Sequence, residues 1–188
     1  DGIRLVALDA RDSDAVSAFF DTGGKIDIPI SSAKGGSRAF GPFLEMNIDS
    51  FKGSFDKLWG YANVVRYATL KLRNDGCIIL IGGTPSRKMK PGQIALSAVG
   101  RAVEALARAI APEIAPKRIN VVAPRIVDTP MVALTGEDRA AHYREVTKSH
   151  LIKRPGKPEE IAKATLFAVE NDFITGATID VDGGWLQS

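Results

Sequence analysis

The chain has 188 residues, which at a prior of roughly 150 residues per domain is the length of a single domain spanning 1–188. Apolar residues make up 45% and charged residues 25%, a globular balance and not a disordered one. The formal charge is +3 with no dense basic stripe, no apolar run reaches the ~20 residues of a membrane span, and one cysteine excludes a disulfide framework.

Strand-like and helix-like segments alternate along the chain. Residues 3–8 are a short apolar stretch suited to a buried strand. A helix over 12–20 follows, with Asp12 or Ser13 as N-cap and Ala15, Val16 and Phe19 at helical spacing. Residues 26–31 read as the next strand, weakened by Pro29 inside it. A loop rich in Gly, Ser and Pro runs over 32–47. The next helix covers 55–73, where Phe55, Leu58, Ala62, Val65 and Leu72 form one stripe. Residues 77–81 are continuously apolar, as a strand covered on both faces requires.

A second long helix is expected over 94–110 after a basic loop. Val99, Val103, Leu106 and Ile110 form a stripe that can pack on a sheet. Ala95, Ala98, Ala102, Ala105 and Ala109 form another, which suits close approach of a further helix. Pro112 should end or kink this helix. A strand at 119–123, a polar helix at 137–149, a helix at 158–169 and a closing strand at 178–181 complete the pattern. Pro158, Glu159 and Glu160 suit the first turn of their helix. Strands joined through helices imply a parallel sheet with helices on both faces, an α/β fold.

Certain segments carry a family resemblance. Pro158-Glu159-Glu160-Ile161-Ala162, then Ile174-Thr175-Gly176 and Asp180-Val181-Asp182-Gly183-Gly184, resemble the C-terminal pattern of the short-chain dehydrogenase/reductase family. Arg118-Ile119-Asn120-Val121-Val122-Ala123-Pro124 with Asp128-Thr129-Pro130-Met131 resembles that family's sixth strand and the loop over the nicotinamide. Leu8-Asp9 resembles the end of its third strand. The similarity covers almost the whole chain. It implies a Rossmann-type doubly wound parallel sheet whose N-terminal βαβ portion is absent from this sequence. It also implies NAD or NADP as cofactor, a cytoplasmic homodimer or homotetramer, and a small-molecule substrate of unspecified identity, with no nucleic acid, membrane or metal involved.

No two glycines lie two residues apart, so the G-x-G-x-x-G turn that lets backbone approach a pyrophosphate does not occur. Without the family's first two strands, the segment at 3–8 should lie about 14 Å from the strand at 26–31, leaving unpaired edges. The native protein is therefore expected to hold at least one further βαβ unit, about 30 residues or more, ahead of Asp1.

Active members of the family resemble one another in using Ser, Tyr and Lys, with an Asn in the preceding helix. By resemblance the tyrosine position falls on Leu96, the lysine position on Gly100, the serine position on Gly83 or its neighbours Gly82 and Thr84, and the asparagine position on Lys57. None carries the expected side chain. The three tyrosines, Tyr61, Tyr67 and Tyr143, lie elsewhere, and Tyr67-x-x-x-Lys71 precedes the 77–81 strand when it should follow it. Lys57 and Thr84 are the catalytic candidates that remain. Ser86 carries a further hydroxyl, and Ser97 is turned about 100° from the tyrosine position.

The cofactor cleft resembles the family more closely. Asp9 matches the adenine contact, and Ser32-Ala33-Lys34 stands where the family has Asn-Ala-Gly. Pro124-Arg125 replaces Pro-Gly beside the nicotinamide, where Arg125 either narrows the pocket or binds an acidic group. Thr129 matches the residue that bonds the carboxamide, and Val127 offers its backbone to the same group. Other features suit structural roles: Cys77 as a buried thiol, His142 and His150 without metal-ligand spacing, and Arg87-Lys88-x-Lys90 as a solvated loop. Two functions remain open: hydride transfer between NAD(P) and a carbonyl or alcohol, and a catalytically inactive dinucleotide-binding or scaffold role.

Overall fold

The computed structural model describes residues 2–33 and 36–188. At its centre is a four-stranded parallel sheet, β1 (Ile30–Ser31), β2 (Cys77–Ile81), β3 (Arg118–Pro124) and β4 (Thr178–Val181), in that spatial order. The helices are α1 (Ser13–Asp21), α2 (Ile48–Gly53), α3 (Asp56–Lys71), α4 (Ile94–Ile114), α5 (Gly136–Val146) and α6 (Pro158–Glu170). The α/β, Rossmann-type expectation is met.

Alternation along the strands divides the core into two layers. Ile78, Leu80, Ile119 and Val121 face α3 and α4, meeting Tyr61, Val65, Val103 and Ala107. Cys77, Ile79 and Val122 face the other way and meet Ile161, Ala164 and Ala168 of α6. Both faces of β2 and β3 are therefore dry, which explains their continuous apolar sequence. Val16 and Phe20 of α1 pack against Ala68 of α3, outside the sheet layers. No helix is long and apolar enough to cross a membrane among the described residues.

Three expectations need correction. Residues 3–8 form no ladder: Ile3 is 91% exposed and Leu5 90%. Apolar sequence makes a strand only where a neighbouring strand accepts its backbone bonds, and no described strand pairs with it. The predicted strand at 26–31 is assigned only at Ile30–Ser31, although Asp27 and Pro29 carbonyls already accept from Cys77 and Ile79 N–H groups. Pro112 does not end α4, which runs on to Ile114. Located in the last turn, its missing N–H removes one helical bond only. The alanine stripe divides, with Ala95 buried and Ala105 and Ala109 exposed. A short helix that periodicity missed, α2, is carried by its cap: Asn47 Oδ1 accepts from the N–H groups of Asp49 and Ser50.

Arg118 closes the α6 side of the core. Its buried guanidinium donates to the carbonyls of Ala168 (2.9 Å), Val169 (2.6 Å) and Ile174 (3.2 Å) and pairs with Asp172. Two of these carbonyls belong to the last turn of α6, where no helical donor is available. Asn120 reinforces the joint, donating to Ile174 O and accepting from Ala177 N–H. Replacing Arg118 by Met strands these carbonyls in an apolar layer. Urea unfolding of R118M should show a loss of about 2–4 kcal/mol with an unchanged slope.

Candidate functional site

In open parallel sheets the connections leave a crevice outside the carboxyl ends of the strands. Here those ends are Ser31, Ile81 and Pro124, so Ser32-Ala33, Gly82-Gly83 and Arg125 all emerge on one edge. Residues 7–11 run along the same edge. A cleft of about 690 Å³ lies between them and α3, lined among others by Asp9, Arg11, Ala33, Asp56 and Lys57. That volume falls within the usual range of small-molecule sites.

The N-terminal wall is stitched to α3. Arg11 forms a two-pronged pair with Asp9 and reaches Asp56 at 3.1 Å. Asn63 donates to Ala10 O at 3.0 Å. Ala10 comes so close to Gly60 that a Cβ there would sit 3.3 Å from Ala10 Cβ. The Arg11 guanidinium holds the Asp9 carboxyl at a pKa of about 2. Asp9 is thus in the cleft, but its carboxylate is bound to Arg11 within the chain. Ser32 and Ala33 are exposed at the mouth. Lys34 lies outside the described residues.

Lys57, in the first turn of α3, lies largely buried in this cleft. Its ammonium stands 5.2 Å from the Tyr61 ring centroid. Burial, with Arg38 nearby, lowers its pKa to about 8. Tyr61 in turn donates to Ile81 O at 2.9 Å, which ties the ring beneath Lys57 to the end of β2. Thr84 is a correction. It is fully buried, with its hydroxyl donating to Pro124 O at 3.5 Å.

The positions of the family's proton shuttle hold no titratable group. Leu96 is half-buried on α4. Gly100 is packed shut: a Cβ there would lie 2.7 Å from Ser86 Cβ. Ser86 donates to the fully buried Glu104, which also pairs with Arg101 at 3.1 Å and Arg87 at 3.4 Å. Ser97 donates to Pro85 O at 2.8 Å. Gly83 is open, with no atom nearer than 3.6 Å to an added Cβ. The phenols are occupied as well: Tyr67 bonds Ser13 at 2.9 Å, and Tyr143 donates to Asp128 at 3.0 Å.

The β3 edge is better furnished for a nicotinamide. Val127 forms an isolated bridge to Gly156 through its neighbours' backbone, with Asp128 N–H donating to Gly156 O and Gly156 N–H to Ile126 O. This leaves the Val127 N–H and C=O without partners among the described residues. The Thr129 hydroxyl is likewise without one. A carboxamide needs one acceptor and one donor, and this backbone pair offers both. Arg139 of α5 pins the loop by pairing with Asp128 and donating to Thr129 O at 2.9 Å and Leu134 O at 3.0 Å. Sequence reasoning missed this clamp. Its only sequence trace is a helix otherwise without an apolar stripe. Arg125 stacks on Trp185, 4.1 Å from its ring centroid, a contact that spacing did not indicate.

Sheet order and crevice define a Rossmann-type α/β fold. A family model described as enoyl-(acyl carrier protein) reductase matches residues 2–186. A cyclic-di-GMP-binding biofilm dispersal mediator protein of Escherichia coli (strain K12) is 31% identical, with the alignment covering 98% of this chain and 78% of that protein. Carbonyl reductase family member 4 of Danio rerio is 36% identical over 60% of this chain and 46% of its own length, so this match spans about half of that relative. The crystal structure of a small-chain dehydrogenase in complex with NADPH superposes with a TM-score of 0.90, at 32% identity, over 96% of this chain and 83% of that one. The chain belongs to the short-chain dehydrogenase/reductase family.

The packing around the two glycines is testable. Gly83→Ser should change stability by less than about 0.5 kcal/mol, since nothing blocks its Cβ. Gly100→Ala should destabilise the wild-type chain by overpacking against Ser86, yet stabilise an S86G background by about 1 kcal/mol through helix propensity. Denaturant midpoints of the four proteins in this double-mutant cycle provide the check.

Proposed function

We propose that this protein is an NAD(P)-dependent oxidoreductase acting on a carbonyl or alcohol, with Lys57 as its proton-transferring residue. The observation that carries the cofactor reading is the free donor and acceptor of Val127, joined by the free hydroxyl of Thr129. These groups would hold the carboxamide. Ser32 and Ala33, with Asp9 at the far wall, would flank the adenosine half. The family resemblance and the NADPH complex of a similar dehydrogenase support the same assignment.

Bound NAD(P)H supplies a hydride to the carbonyl carbon. The chain itself must then deliver a proton to the carbonyl oxygen. Lys57 is the group in the cleft whose pKa, about 8, suits that task near neutral pH. Its Nζ gives up a proton during reduction and takes one back during oxidation. Gly83 leaves open space beside the end of β2 for the reacting carbon. We further propose a cytoplasmic homodimer or homotetramer. The exposed Leu166 and Phe167 of α6, and Trp59 and Leu70 of α3, supply apolar surface for subunit contact.

The reading is tested by NADPH fluorescence titration followed by cofactor oxidation over a panel of carbonyl compounds. Saturable binding with turnover is expected. Lys57→Met should keep cofactor binding and lose about 10²–10⁴-fold in turnover. Reduction requires the protonated amine, so its rate should be level at pH 6–7 and fall as pH rises through about 8, with oxidation showing the opposite trend. Binding without turnover would instead establish the second reading, a non-catalytic dinucleotide binder. The absence of titratable groups at Leu96, Gly100 and Gly83 favours that reading. Light scattering during size-exclusion chromatography should give two or four times the subunit mass, and a monomer would refute the assembly.

A further inference from the structure

The basic loop after β2 does not lie free in solvent. It folds back over the C-terminal turn, and its lysines meet Arg125 around one indole. Trp185 is 0% exposed. Arg125 lies 4.1 Å from its ring centroid, Lys88 Nζ 5.1 Å and Lys90 Nζ 5.3 Å. Cation–π attraction favours each contact singly, but three like charges around one ring repel one another.

The neighbouring carboxylates compensate them only in part, with Asp182 acting on His150. Asp180 is paired with Arg87. Asp182 accepts from the backbone N–H groups of Gly184 (2.9 Å) and Leu186 (2.8 Å). Glu104 is held by Ser86, Arg101 and Arg87. Lys88 donates to Trp185 O at 2.8 Å and to the backbone oxygen and hydroxyl of Ser188.

Unsatisfied polar atoms mark the same place. Trp185 Nε1, Arg125 Nε and His150 Nε2 are all closed to solvent and lack hydrogen-bond partners. His150 is 3% exposed. Burial and the adjacent Arg125 push its pKa down, so near neutrality it is a neutral ring able to donate one hydrogen bond. Buried donors without acceptors are rare in folded proteins and call for an occupant. An anion answers both conditions at once: it offsets the crowded cations and accepts from the stranded donors.

We propose that Arg125, Lys88, Lys90, His150 and Trp185 form a subsite for an anionic group of the substrate, a carboxylate or a phosphate monoester. The subsite lies beside the reacting centre. Arg125 directly follows Pro124, whose carbonyl is 3.9 Å from the position of a Cβ on Gly83. The proposal rests on the oxidoreductase reading for the word substrate, but anion binding itself does not need turnover. A substrate with an acidic group would be drawn in by the basic rim and fixed with its carbonyl toward Gly83.

The test uses Trp185 as its own reporter. The chain has two tryptophans, so Trp59→Phe leaves Trp185 as the sole indole. The whole protein is titrated with inorganic phosphate and with malonate at constant ionic strength, with sodium chloride as control. Saturable change in Trp185 emission with either anion, and none with chloride, is expected. Arg125→Gln should weaken binding at least tenfold. Lys90→Gln, at an exposed position, should weaken it severalfold without risk to folding, and Lys163→Gln on α6 should have no effect. Tighter phosphate binding assigns a phosphate ester, and tighter malonate binding assigns a carboxylate. No saturable response in a protein that still binds NADPH would overturn this proposal and leave the oxidoreductase reading standing. Anion binding that NADPH competitively displaces would give the site to a cofactor phosphate and overturn the substrate assignment.

Discussion

A strand buried on both faces can hold its place only if every backbone group it carries is bonded to a neighbouring strand. β3 is paired on either side, in register with β2 from Arg118 to Val122 and with β4 from Val121 to Pro124, and its Ile119 N–H is taken up by the Thr175 hydroxyl. The flanking helices, the crevice and the loop at Val127 all take their positions from it. Its first residue, Arg118, anchors the end of α6, and the residues just beyond its last, Pro124, reach the cleft. One strand therefore connects the Arg118 joint to the edge where chemistry is proposed.

Within this frame the family's proton shuttle has become packing. At Gly100 the space that a lysine side chain would cross is filled by Ser86, itself held by Glu104. Those contacts make the region rigid and dry, conditions that suit a helix–loop joint and not proton exchange. In the proposed function the proton comes instead from Lys57, on the helix before β2.

Much of this was legible in the sequence because it is local. The 178–181 strand, the Pro158 start of α6 and the Asp12 cap of α1 depend on residues a few positions apart. The family resemblance, carried by local motifs, sets Leu96, Gly100 and Gly83 where Tyr, Lys and Ser are expected. Partner-dependent features could not. Residues 3–8 have strand composition, but composition cannot supply a neighbour. The six-residue α2 is too short for periodicity and rests on Asn47. Thr84 stands near the family's serine position in sequence, yet in the turn at 84–86 it is fully buried. The Arg125–Trp185 stack and the Arg139–Asp128 clamp join distant segments through side chains, and no spacing rule announces such contacts.

Cys77 shows what this arrangement means for reactivity. The single thiol sits in β2 beneath α6, with Arg118 at 3.4 Å from its sulfur. Burial raises its pKa, so alkylating reagents meet neither an exposed sulfur nor a thiolate. Modification must wait until α6 lifts from the sheet. The rate of labelling at this one atom therefore counts openings of the molecule's centre, a built-in clock for its breathing.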